Sequence, residues 1–140
     1  MGKRPFKLRV RIPQYEYPPK RWRQKIHERV LQALSTEHID YLKTDNLELR
    51  IVLYMNKGAI DIHDIDNRLK DMMDALQGRM GGKKKEHKFK QIIPNDRKIY
   101  RVMIEKKKPP KRNLEGGYLE IRKYKETANK SLQRMAYSHR

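Results

Sequence analysis

Five aspartates fall between residues 61 and 76 (Asp61, Asp64, Asp66, Asp71 and Asp74), against Arg68 and Lys70. The segment is net −3 in a chain of +18, so the other 124 residues carry +21. A chain built only to neutralise phosphate gains nothing from such a cluster, because carboxylates repel the backbone that lysines attract. A divalent cation reconciles the two, since it is held by carboxylates and binds phosphate oxygens in turn. Asp64 and Asp66 are two residues apart and, in an extended stretch, point to the same side, giving two converging oxygen ligands. Mg²⁺ takes a few protein carboxylates and completes its octahedron with water and substrate oxygens, which suits an open pair of this kind. Lys70 follows Asp66 by four residues on the same helix face, where it can orient a carboxylate, hold a phosphate or stabilise developing charge. Asn67 adds a hydrogen bond for a ligand carboxylate or water. The competing reading is structural: Asp64 or Asp66 as a helix N-cap, with Asp71 and Asp74 as solvated helix-surface charges.

The elements that must position these side chains are legible from periodicity. Phe6, Leu8, Val10 and Ile12 alternate with Lys7, Arg9 and Arg11, the pattern of a strand with one buried and one wet face. Pro18-Pro19 suits a helix entry, and Trp22, Ile26, Val30, Ala33 and Leu34 then recur at helical spacing, with Lys20, Arg21, Arg23, Lys25 and Arg29 outward. Leu47, Leu49, Ile51 and Leu53 alternate in a second strand that stops at Asn56-Lys57-Gly58. Leu69, Met72, Met73 and Leu76 place a second helix over 66–77, stopped by Gly78 and Gly81-Gly82. Residues 99–106 and 118–123 read as two further strands, expected to form a hairpin. The order β-α-β-α-β-β predicts an α/β (α+β) domain: a four-stranded mixed sheet with two main helices covering one face. The domain is placed at 1–124, with 125–140 a basic C-terminal tail.

Composition names the partner before the chemistry. Thirty-five Lys and Arg against 17 Asp and Glu point to a polyphosphate, while 36% hydrophobic residues still supply a core. With no cysteine, disulfides, thiolate metal sites and thiol nucleophiles are excluded. No apolar run approaches the roughly 18 residues that span a bilayer, so the expectation is no membrane partner and a cytoplasmic protein, nucleoid-associated when acting on DNA.

The stretch Asp64-Ile-Asp66-Asn67-Arg68-Leu69-Lys70-Asp71-Met72-Met73-Asp74-Ala75-Leu76 resembles the core motif of the RusA family of Holliday-junction resolvases. Asn95-Asp96-Arg97-Lys98-Ile99, followed by Val102, Ile104 and Lys107, is similar to that family's second acidic element, a turn carrying Asp before a strand. The resemblance implies endonucleolytic cleavage of four-way DNA junctions by a homodimer. It implies Asp64, Asp66 and Asp96 as ligands of Mg²⁺, for which Mn²⁺ would substitute, and Lys70 as the assisting cation. The chain departs from the pattern in the long basic stretch from Gly81 to Lys90. A non-catalytic basic nucleic-acid-binding protein is the alternative, and a related Mg²⁺ nuclease acting on flaps or forks would share the same site.

Several further residues bear on nucleic acid. Lys83, Lys84, Lys85, Lys88 and Lys90 read as phosphate contacts, as does the run Lys106, Lys107 and Lys108; a solvated charge run is the bland counterpart. Phe89, between two lysines, is a candidate wedge into DNA. Tyr15, Tyr17, Trp22 and Tyr54 could stack on unpaired bases, but their helical or strand spacing favours core or core margin. No histidine pair has ligand spacing, and His63 is expected to be a solvated loop residue.

Overall fold

The computed structural model describes residues 7–37, 45–79, 90–93, 96–111 and 116–126. Alternation makes β1 (Lys7–Ile12) a strand with Leu8, Val10 and Ile12 buried and Lys7, Arg9 and Arg11 exposed. α1 (Pro19–Glu37) follows, burying Trp22, Ile26 and Val30. β2 (Leu47–Tyr54) is the most deeply buried of the long strands along one side, with Leu47, Leu49, Ile51 and Leu53 all 2% exposed or less. Beyond it, the segment expected to be a plain turn forms a single helical turn, α2 (Lys57–Ile60), before α3 (Ile65–Leu76). A 3₁₀ turn at Asp96–Lys98 leads into β3 (Ile99–Lys107), and β4 (Gly116–Lys123) comes last among the described elements.

The sheet is mixed and four-stranded, as expected, with the order β1-β4-β2-β3. β3 and β4 are not a hairpin, which corrects the sequence expectation. β4 inserts between β1 and β2, antiparallel to both, and β3 pairs with β2 in parallel. A parallel neighbour requires a crossover, which the chain between Tyr54 and Ile99, α3 included, supplies. The turn residues after β3 indicate only that the chain reverses, not which strand it reverses against. Gly116 and Gly117 permit the insertion: both have positive φ, and a Cβ on Gly117 would sit 1.9 Å from the Val52 carbonyl oxygen. Only glycine tolerates both demands.

Leu8, Ile121, Leu49 and Val102 form one cross-sheet row facing the helices, and Val10, Leu119, Ile51 and Ile104 the next. Trp22, Ile26 and Val30 from α1, with Met72, Ala75 and Leu76 from α3, close over these rows to make a single core. Trp22 is 1% exposed, and its indole N–H donates to the Pro13 carbonyl at 2.9 Å, so the ring is core and not a stacking platform. Tyr17, by contrast, is 85% exposed. No helix among the described residues is long and apolar enough to cross a membrane. Lys83, Lys84, Lys85, Lys88 and Phe89, and the tail from residue 127, lie outside the described residues.

Candidate functional site

The acidic segment wraps one end of the sheet, where β2 finishes. Lys106, near the end of β3, donates from Nζ to the His63 carbonyl at 2.8 Å and also to that of Ile60, pinning the turn before α3 from below. Strand alternation puts Lys106 on the same face as Val102 and Ile104, so this lysine holds backbone carbonyls and is not free for phosphate as the sequence suggested. Lys107 faces the other way and is exposed, and Lys90 is exposed with its carbonyl 2.6 Å from His27 Nε2.

Asp64 then occupies the N-cap position of α3 with extended backbone geometry, yet its side chain makes no cap hydrogen bond. Asp66 lies in the first turn, and Asp64, Asp66 and Lys70 are all exposed. Neither Asp64 nor Asp66 has an ion pair or side-chain hydrogen bond among the described residues. Two carboxylates at a helix N-terminus sit in a favourable field, where the peptide dipoles and the free N–H groups of the first turn offset their mutual repulsion. They are hard oxygen donors, open to solvent and uncommitted, a donor set that fits Mg²⁺.

The other acids of the segment have a different fate. Asp71 is buried, not solvated: its Oδ1 accepts from Arg23 Nε at 2.9 Å and Nη2 at 2.6 Å, and Arg68 Nη2 lies 3.4 Å from Oδ2. Asp74 is 3.8 Å from Arg23, which therefore points inward and not outward as its position on α1 suggested. Arg68, 8% exposed, is the hub of this network. Its guanidinium lies 3.8 Å from the Tyr15 ring centroid and 3.2 Å from His63 Nδ1. Tyr15 in turn meets His63 edge to face at 4.7 Å and Trp22 at 5.1 Å. His63 is thus not a solvated loop residue. A cavity of about 60 Å³ beside it, with Tyr54, Asn56 and Gln14 in its walls, has room for a few waters but not for a base. The network bolts α3 to α1 and fixes the turn from which Asp64 and Asp66 project. Sequence spacing gave no sign of it, since Arg23 and Asp71 are 48 residues apart.

Partial burial holds the His63 pKa below the usual value of 6.5, and the charges of Arg68 and Lys106 lower it further. A histidine with a depressed folded-state pKa contributes stability that is present above pH 6.5 and lost as pH falls through the folded value, because the unfolded chain then binds the proton more readily. The wild type is therefore expected to lose stability on acidification below pH 6.5 more steeply than His63→Gln, measured by urea unfolding at a series of pH values. Equal slopes would show that His63 is not under these charges.

Asp96 is placed elsewhere. β3 begins beside Leu47 and ends beside Tyr54; Asp96 precedes the first of these ends, and the Asp64 turn caps the second. The seven steps of strand between Ile99 and Lys106 span roughly 23 Å. The far end of α3, not its start, adjoins the segment leading to Asp96, with the Leu76 carbonyl accepting from the Ile92 and Ile93 amides. Among the described residues no three carboxylate or imidazole side chains converge to hold a metal ion. One chain thus places Asp64, Asp66 and Lys70 along the first two turns of α3 and Asp96 in the turn before β3.

No family model, curated protein or solved structure matches this chain. The site is accordingly argued from its own geometry. What that geometry separates is two structural acids, Asp71 and Asp74, from two available ones, Asp64 and Asp66.

Proposed function

We propose that the protein is a Mg²⁺-dependent endonuclease that cuts branched DNA. The observation that carries this reading is the uncommitted carboxylate of Asp64 at a helix N-cap, exposed beside Asp66, in a chain of net charge +18. If these acids served the fold alone, Asp64 would cap the helix with its side chain, as aspartate at that position does, and contribute about 1 kcal/mol. It does not. Two free carboxylates in a strongly basic chain weaken phosphate binding unless a cation is held between them and the substrate.

Mg²⁺ held by Asp64 and Asp66 would supply charge neutralisation at the scissile phosphate and would lower the pKa of a water molecule. The chain's own residues supply the rest. Asp64 and Asp66 bind the ion, the Arg68–Asp71–Arg23 network keeps their turn rigid, and Lys70 stabilises the charge that grows on the phosphoryl oxygens. A third carboxylate, Asp96, is the remaining ligand suggested by the RusA-like motif. Because it stands at the opposite end of the sheet, the reading requires a second copy, with the partner's Asp96 brought to the Asp64–Asp66 pair by a two-fold axis. Such a homodimer carries two centres, which suits paired cuts across a four-way junction.

The test is a synthetic four-way junction and a matched linear duplex incubated with the protein in Mg²⁺, in Mn²⁺ and in EDTA. Symmetric nicking of the junction in either metal and none in EDTA is expected. Binding of both substrates with no cleavage under any metal condition would replace this reading with a non-catalytic nucleic-acid-binding protein, and cutting of flaps or forks in preference to junctions would move the substrate assignment.

A further inference from the structure

The face of the sheet turned away from α1 and α3 has a charge opposite to that of the acid pair at its end. Strand register sets its residues in rows, since cross-strand partners share a face. Lys7, Arg122, Glu48 and Arg101 form one row. Arg9, Glu120, Arg50 and Met103 form the next, and Arg11, Tyr118, Val52 and Glu105 the third. Six cations thus stand against three carboxylates, and five of the six are arginine.

Depth separates the two signs further. The Glu120 side chain is 3% exposed and that of Glu48 14%, whereas Arg9 is 57% exposed and Lys7 52%. The two acids lie beneath the cations and hold them upright, leaving Glu105 at the β3 edge as the exposed acid of these rows. Glu120 holds its neighbours loosely: Lys7 lies 3.5 Å away, Arg9 and Arg122 3.9 Å, and Oε2 accepts no hydrogen bond. Glu48 is held more closely, with Arg122 Nε at 3.0 Å and Arg101 Nη1 at 3.2 Å, so each of these two arginines engages one edge of its fork with a carboxylate, while Lys7 and Arg9 lie only loosely over Glu120. Two of the guanidinium groups are also stacked, Arg9 at 4.0 Å over Tyr118 and Arg101 at 5.1 Å over Tyr124, which fixes their planes; Arg101, donating from Nη1 to Glu48, turns its remaining N–H groups outward. A face made only to meet water would intersperse its signs at one depth. This one buries the negative charge and presents forked donors outward.

We propose that the cationic side chains standing over this face, whose centre at Val52 and Tyr118 is itself buried, grip the sugar-phosphate backbone of a duplex DNA arm, with Arg9, Arg11, Arg101 and Arg122 bonding phosphate oxygens. Forked guanidinium donors match phosphate geometry better than a point charge does. The eight residues of β2 extend roughly 25 Å, the rise of about seven base pairs, so an arm lying along the strands contacts several phosphates in succession. One end of that track is the end of the sheet that carries Asp64 and Asp66. The choice of DNA over another polyanion rests on the nuclease reading above; the anion-binding face itself does not.

The experiment measures Kd for a duplex, a single strand of the same length and a four-way junction, as a function of KCl and in EDTA, so that cleavage plays no part. The variant Arg9→Ala/Arg11→Ala/Arg101→Ala is compared with Lys20→Ala/Arg21→Ala/Lys25→Ala on the outer side of α1, which removes the same charge. The face variant should weaken duplex binding roughly 30-fold at about 0.1 M salt and flatten the slope of log Kd against log[KCl] by about 2.7, at roughly 0.9 per lost phosphate contact. The α1 variant should change little. Arg9→Lys/Arg11→Lys/Arg101→Lys, which keeps the charge and the cover over Glu120, should recover most of the slope, so that loss through misfolding is distinguished from loss of contacts. Equal weakening by the face and α1 variants would overturn the proposal, as would unchanged binding by the face variant or binding confined to single strands. Loss of binding in the face variant, in a protein that cuts nothing with Mg²⁺, would sustain this surface while removing the nuclease reading.

Discussion

Asp66→Asn is expected to reduce Mg²⁺-dependent cutting of a four-way junction by about 10³-fold, in the range seen when a single charge-stabilising group is lost from an active site, while leaving junction binding as tight as before or tighter. The asymmetry follows from the sign of the group. Asp66 is exposed and has no ion pair among the described residues, so its removal costs the fold little. It also deletes one negative charge from a surface that must approach phosphate, which favours binding. A chain that only binds nucleic acid would show the gain in affinity and no activity to lose. Co-expression of Asp66→Asn with Asp96→Asn extends the test to the subunit arrangement. If the ligands of one centre come from two copies, a mixed dimer has one centre with both substitutions and one with neither. It should nick one strand of the junction without making the paired cut, although each homodimer is inactive. No recovery would mean that Asp96 does not complete the other copy's site, and wild-type cutting by Asp66→Asn would place the centre elsewhere in the molecule.

Asp71→Asn should destabilise the protein by roughly 3–5 kcal/mol, the usual consequence of removing one partner from a buried ion pair. Asp71 balances two guanidinium groups that are themselves only 16% and 10% exposed, and among the described residues it is the carboxylate paired with Arg68. Because Arg23 retains some contact with water, the lower half of that range is expected, seen as a fall in the thermal midpoint of roughly 10 °C. Urea unfolding followed by circular dichroism gives the free energy directly. A second readout separates this role from stability alone. Arg68 also grips His63, the residue before Asp64, so at a temperature where the variant remains folded its cutting should fall while binding through the sheet face persists. A loss below 1 kcal/mol would show that the arginines find water or other partners.

How much of this was legible in the sequence depends on how local each signal is. The alternation in 8–12 and 47–53 and the i, i+3, i+4 spacing in 69–76 depend on neighbouring residues, and the strands and α3 formed where those patterns lay. The acidic segment was equally visible, since charge clustering needs no fold to be seen. Two things failed for the same reason, namely that they join distant parts of the chain. The pairing of β4 with β1 and β2 depends on Gly117 fitting against Val52, and the fate of Asp71 depends on an arginine from α1. Arg23 and Asp71 each look like a solvated helix charge until the two helices are laid together. Lys106 is an intermediate case. Its alternation with Val102 and Ile104 already assigned it to the inner face, and only the bulk of lysines around it suggested otherwise.

The strand order has a consequence for synthesis. β4 is the central seam of the sheet, yet it is the last described element to leave the ribosome, and β1, one of its two neighbours, is the first. Until residue 123 has emerged, β1 has no partner and β2 keeps one side open, so the nascent chain carries unpaired edges and an incomplete core. With most pairings joining remote residues, closure is slow for a chain of this size, and the basic strand residues keep those edges from finding each other in the interval.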